Sequence, residues 1–301
     1  MRASCHAPTR SPGGKQHPGR GAVGARPVLG GAPGLRERHL APGAHAWAWV
    51  APTAGGGGAN GYGAGVKIEI WSDIACPWCY IGKVRFENAL SRYEHAADVE
   101  VVWRAFQLQP DAPRDNAPST VEHLMEKYGR SREATLEMMQ RVTDVAAEEG
   151  LSYQLERAVA ANTFDAHRLA KLGEAEGAGE AVMVRLMQAY QSEGANVADP
   201  ETLVRLGREA GLEEAAVRDL LAGDAFAAEV EADFARARSF GVSGVPFFVI
   251  DEQHGISGAQ PSEFFLAALR QLGPQQPKLA MVGGADDAAA CDDDGCALPQ
   301  G

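Results

Sequence analysis

The stretch Asp73-Ile74-Ala75-Cys76-Pro77-Trp78-Cys79 decides the fold, because it sets two thiols within reach of one disulfide between a strand-like segment and a helix-like one. Upstream, Val66, Ile68 and Ile70 alternate with Lys67 and Glu69, so Val66 to Trp71 reads as a half-buried strand. Downstream, Pro77 suits the first turn of a helix, where a missing N–H costs nothing, and Phe86, Ala89, Leu90 and Tyr93 recur at helical spacing. Cys76 therefore stands at a helix N-terminus, where unpaired N–H groups and the helix dipole favour a thiolate. It is expected to be the acidic, exposed nucleophile. Cys79, one turn along, is expected to be more buried and less acidic, and to resolve a mixed disulfide formed on Cys76. Half of a zinc site or an inert structural disulfide are the competing readings. No second Cys/His pair lies nearby at ribbon or finger spacing, so redox chemistry is favoured and no metal site is expected.

Outward from this centre, Val99 to Phe106 alternates again, and strand, helix, strand makes a right-handed parallel βαβ unit. After a Pro- and Asp-rich loop, residues 119–239 carry helical periodicity: Leu124, Tyr128, Met138, Val142 and Val145 first, then Phe164 to Ala175, Ala181 to Ser192, Pro200 to Ala210, Glu213 to Ala222 and Ala225 to Phe240. Gly150, Gly211 and Gly223 read as breaks. Gly244-Val245-Pro246 then leads into Phe247 to Ile250, a turn, a second short strand at Gly255 to Ser257, and a closing amphipathic helix, Pro261 to Leu272. Pro246 must open its strand, because within it a ladder donor would be lost; both a cis and a trans bond are compatible with that place. The expected fold class is α/β, in the order β-α-β, helical insert, β-β-α. Residues 66–106 and 241–273 would form the frame and 107–240 a large all-helical insertion.

The flanks differ from this body. Residues 1–65 are crowded with Gly, Pro, Ala and Arg, and their seven basic residues face one acid, Glu37, a formal charge of about +6 that leaves about −18 of the chain's −12 to the rest. That composition reads as a disordered extension without the apolar run of a secretion signal. Residues 274–301 read as an acidic tail holding Cys291-Asp292-Asp293-Asp294-Gly295-Cys296. Its carboxylates disfavour a thiolate, yet the pair could form a second exchanging disulfide, chelate a soft metal, or belong to a passive solvated tail. The acidic body argues against nucleic acid as partner, and no run of 18 apolar residues suggests a membrane span. Five cysteines in 301 residues are no disulfide framework, which points to a reducing cytoplasm.

The chain resembles the thioredoxin-fold DsbA superfamily and, within it, is similar to the FrnE-type cytoplasmic disulfide oxidoreductases. The resemblance covers about residues 66–273 and rests on Trp71-Ser72-Asp73 with Cys76-Pro77-Trp78-Cys79, Asn162-Thr163-Phe164-Asp165-Ala166-His167-Arg168, Gly244-Val245-Pro246-Phe247-Phe248 and Ser257-Gly258-Ala259-Gln260-Pro261. It implies a thioredoxin-like fold, a cis Val245-Pro246 bond facing the dithiol and offering backbone groups to an extended substrate, and a substrate groove between frame and insert. The spacing of Cys291 and Cys296 resembles an additional C-terminal pair of some FrnE-type proteins.

Other residues are read as follows. Trp78, between the thiols, is expected to be part-exposed and to touch substrate. Phe164 and His167 are placed at the substrate groove, His167 with a structural role as the competing reading. Asp165 is read as a helix cap and Asp73 as a turn former. The activity expected is thiol–disulfide exchange or isomerisation on disulfide- or thiol-containing proteins or small molecules. The dithiol itself is the redox centre, without a separate cofactor, and glutathione is a possible electron partner. The alternative is a glutathione-dependent enzyme of the kappa-like transferase or 2-hydroxychromene-2-carboxylate isomerase type, which usually has Ser where Cys76 stands.

Overall fold

The computed structural model describes residues 65–115 and 117–273, together with the backbone of 291–292 and 295–296. Strand β1 (Val66–Ser72) runs into helix α1 (Pro77–Leu90) and strand β2 (Val99–Ala105). Seven helices follow among the described residues: α2 (Thr120–Tyr128), α3 (Arg132–Glu148), α4 (Phe164–Ala175), α5 (Gly179–Gln188), α6 (Pro200–Glu209), α7 (Glu214–Ala222) and α8 (Ala227–Ser239). Strands β3 (Phe247–Ile250) and β4 (His254–Ser257) and helix α9 (Ser262–Leu272) close the frame. The sheet order is β2-β1-β3-β4, with β1 parallel to β2 and antiparallel to β3, and β3 antiparallel to β4. This is the α/β order expected, a thioredoxin-like frame with helices between β2 and β3. The N-terminal extension and most of the acidic tail lie outside the described residues. Of the tail, a two-stranded hairpin of β5 (Cys291–Asp292) and β6 (Gly295–Cys296) sets Cys291 opposite Cys296.

Local signals explain where the insert helices start. Ser119 and Glu122 form a reciprocal capping box on α2, Ser131 caps α3 by accepting from the Ala134 N–H, and Asp199 does the same for α6 through the Thr202 N–H, with Pro200 following. Gly129 ends α2 in the left-handed conformation, at φ 60°. Helix α5 widens at its end into one π turn, Ala189–Glu193, closed by Gly194 at φ 69°, where an added Cβ would meet Arg157 at 2.7 Å.

The expectation of a half-buried β1 is corrected by the structure. Val66, Ile68 and Ile70 pack with Phe86, Phe248 and Phe265 on the side of α1 and α9, while Trp71 packs with Ala237, Val242 and Val249 on the side of α8. Both faces are therefore covered, and Glu69, expected on a solvated face, is 1% exposed. Its carboxylate is held by Arg104 at 2.8 Å and Arg236 at 2.9 Å. Burial opposes its ionisation, but the hydrogen bonds from Arg236 and Arg104 outweigh that and hold Glu69 below the usual carboxylate range. Asp233 of α8 completes the clamp, accepting from the Ala105 N–H at 2.9 Å, Arg104 at 3.0 Å and Lys171 at 3.0 Å.

Candidate active site

The dithiol sits where β1 gives way to α1. Asp73 starts the turn: its carbonyl accepts from the Cys76 N–H at 3.0 Å, and its carboxylate accepts from the N–H groups of Ala75 at 3.3 Å and Leu108 at 2.8 Å. The turn role read from the sequence is thus filled by three bonds. Cys76 is the N-cap of α1, extended at φ −87° and ψ 113°, and its side chain makes no cap bond. The Cys76 Sγ–H instead points to the Val245 carbonyl, 3.5 Å away, across a cis Val245-Pro246 bond.

That contact explains a correction. Cys76 is 4% exposed rather than open to solvent, because the Val245-Pro246 loop lies over it and the insert packs beside it. Cys79 is deeper, at 1%, and both thiols are free. Burial pushes the Cys79 thiol well above its ordinary value, and the neighbouring Cys76 sulfur pushes the same way; the Ser72 hydroxyl and the Asp73 backbone partly offset this. Both cysteines belong to the core of the insert, alongside Leu169, Met183, Leu186 and Met187. Tyr153, from the segment after α3, donates to the Pro77 carbonyl at 2.8 Å and so ties the first turn of α1 to the insert.

A cavity of about 470 Å³ opens from Cys76 into the insert. Ala75 to Trp78 form one end and residues of α2 and α3 the other, with Tyr190 and Gln191 in the wall. Trp78 lines it and, as expected, is part-exposed, at 38%. Phe164 and His167 are absent from its lining, contrary to expectation, and so are Val245 and Pro246, which meet Cys76 from outside it. The reason for the first two is the rotation of α4: Phe164 packs on Phe234 of α8 and beneath Arg114, and His167 is buried with Nε2 2.9 Å from the Phe106 carbonyl and 3.4 Å from Asp73 Oδ1. His167 thus lies behind the Asp73 turn. Asp165 is not the cap either. Asn162 accepts from the Phe164 N–H at 2.9 Å, while Asp165 pairs with Arg168 at 2.8 Å and Arg114 at 2.7 Å.

Gln191, Tyr153 and Tyr190 escaped the sequence reading. For Gln191 a signal existed: the apolar stripe Val182, Met183, Leu186 and Met187 of α5, continued by Tyr190 in the π turn, places its next member at 191, so a polar residue falls on a buried face. Its Nε2 donates to the Ile74 carbonyl at 2.9 Å, backing the turn that leads to Cys76. Tyr153 lies in an irregular segment, where no period marks it.

A mixed sheet of this order, a helix opened by two cysteines one turn apart and a cis-proline facing the first of them define a thioredoxin-like dithiol protein. The model of the DSBA-like thioredoxin domain family matches residues 67–270. The chain belongs to that family, and the match takes in the helical insert as well as the sheet. A crystal structure of a probable DsbA oxidoreductase from Streptomyces coelicolor is 42% identical, with a TM-score of 0.68, covering 78% of this chain and 100% of its own. The uncharacterized protein YwbO of Bacillus subtilis is 28% identical over 167 residues, 52% of this chain and 72% of its own. A structure of a 2-hydroxychromene-2-carboxylate isomerase shares the fold at 16% identity and a TM-score of 0.50, over 68% of this chain and 95% of its own. Among the described residues no helix is long and apolar enough to cross a membrane, and no group of three or more His, Cys, Asp or Glu could hold a metal.

Proposed function

We propose that this protein is a thiol–disulfide oxidoreductase and isomerase acting on disulfide- or thiol-containing substrates, with Cys76 as the attacking and Cys79 as the resolving thiol. The observation that carries the reading is the placement of Cys76 Sγ at a helix N-terminus, at the inner end of a cavity, 3.5 Å from the Val245 carbonyl. The Cys76 thiolate attacks one sulfur of a substrate disulfide, and the other sulfur leaves as a thiolate. Cys79 then gives up its proton and attacks Cys76 Sγ, so that the Cys76–Cys79 bond forms and the second substrate sulfur leaves reduced. Two electrons pass from dithiol to substrate, and the reverse sequence oxidises a substrate dithiol. Trp78, Val245 and Pro246 hold the substrate beside the thiols, glutathione is the electron partner, and the compartment is the reducing cytoplasm. Cys291 and Cys296, opposite one another in their hairpin, are assigned as an auxiliary exchanging pair.

The dithiol is to be equilibrated in glutathione buffers and the Cys79→Ser chain treated with a disulfide-containing peptide. The expected results are a two-electron Cys76–Cys79 couple, a mixed disulfide that accumulates on Cys76 in Cys79→Ser, and loss of turnover in Cys76→Ser. A dithiol that never cycles while glutathione binds at the cavity would replace this reading with the glutathione-dependent alternative.

A further inference from the structure

Thiol exchange alone leaves several groups of the cavity unused. Four buried side-chain polar atoms lack a hydrogen-bond partner among the described residues, and two of them, Gln191 Oε1 and His123 Nε2, belong to residues lining this cavity. The assignment of the Gln191 oxygen is forced, since its amide nitrogen is the atom that donates to the Ile74 carbonyl. Both atoms are closed off from the open space of the cavity, so each marks a cost in the wall rather than a contact offered to a ligand. Between the ends the walls are apolar, with Leu124, Val142 and Val145 from α2 and α3. At the outer end stand two exposed cations. Lys127 makes a cation–π contact with Tyr128, and neither it nor Arg141 has an ion-pair partner among the described residues of this net acidic chain. At the thiol end the charge is of the other sign: the Asp73 carboxylate, already held by the Ala75 and Leu108 N–H groups.

We infer that the cavity takes one half of a small, amphipathic, anionic disulfide, or the corresponding thiol, whose sulfur meets Cys76. Its apolar arm lies between α2 and α3, and its anionic group reaches Lys127 and Arg141. The inference rests on the oxidoreductase reading of Cys76 and Cys79 and names the substrate class of that same site. The volume suits it, since small-molecule sites occupy roughly 300–1,000 Å³ and are apolar with a few placed polar groups. The exchange is balanced as before: one Cys76–Cys79 bond forms, one substrate S–S bond breaks, and two substrate thiols leave.

The test uses the full chain in reduced form and follows thiol release from bis(N-hexanoyl)cystine, which has carboxylates, amide N–H groups and apolar arms. Its dimethyl ester and bis(N-acetyl)cystine serve as partners lacking the charge and the arm. The expected result is saturation with the hexanoyl acid, and a kcat/KM ratio of acid to ester that falls about fivefold in Lys127→Gln/Arg141→Gln. In Val142→Trp, which fills the space between α2 and α3, the ratio of hexanoyl to acetyl compound falls about tenfold. Rates linear in concentration for all three compounds, or ratios unchanged in both variants, would overturn the inference. Bis(2-hydroxyethyl) disulfide separates the two levels: if it is exchanged while the ratios stay flat, only the ligand class fails, and if no disulfide is exchanged the oxidoreductase reading fails with it.

Discussion

Cys79 and Tyr190 are acids that the fold keeps protonated. In an unfolded chain they would ionise near their ordinary values of 9.0 and 10.0; burial holds both protonated to higher pH, with Tyr190 pushed up to about 12. Above pH 9 the folded state therefore binds more protons than the unfolded one, and stability must fall as pH rises, at about 1.4 kcal/mol per pH unit for each such group. Urea midpoints of the reduced protein measured from pH 7 to 11 should decline from about pH 9, and Cys79→Ala should flatten the first part of the decline. A midpoint independent of pH over that range would contradict the burial of these groups. Gly82 gives a second residue-scale prediction. A Cβ there would stand 2.9 Å from Pro246 Cγ and 3.4 Å from Ala259 Cβ. Gly82→Ala should thus cost about 1–3 kcal/mol of stability by overpacking and slow thiol exchange by displacing the loop over Cys76, as kcat measurements would show. The two cysteines were legible because their spacing and Pro77 place them without knowledge of the rest. The burial of Cys76 was not, since it depends on Val245, far along the chain.

At the scale of elements, α8 is fastened to the sheet by charge as well as by packing. Asp233 is 3% exposed and accepts from three donors, among them the Ala105 N–H in β2. Asp233→Ala would leave Arg104 and Lys171 short of a counter-charge and the Ala105 N–H unpaired, so a loss of about 3–5 kcal/mol is expected in chemical denaturation. Asp233→Asn, which keeps an acceptor for that N–H, should lose less. Helix limits were readable because the stops are local: α4 spans Phe164–Ala175 as read, and α6, α7, α8 and α9 agree to within two residues. The second covered face of β1 was not readable, because alternation cannot say that a helix beginning at Ala227 returns to lie on Trp71. Glu69 was misplaced for the same reason, its two arginine partners standing on β2 and α8. The π turn at Ala189–Glu193 shows as a polar residue on an apolar stripe, a mark that has meaning once the cavity is known.

For the whole molecule, the sheet ties together the two ends of the described body. Ile68 of β1 pairs with Ile250 of β3, and the entire insert lies between them in the chain. The parts of the site are divided in the same way, with Cys76 following β1 and Val245 preceding β3. During synthesis, which proceeds from the N-terminus at about 5–20 residues per second, the chain up to Cys76 leaves the ribosome roughly ten to thirty seconds before Val245 does. For that interval the Val245 loop does not lie over the nucleophilic sulfur, and the β1–β3 pairing that will bring it there must await the last fifth of the polypeptide. The newborn protein thus passes through a period in which its thiol is open to any passing oxidant, and the docking of the final strands marks the end of that exposure.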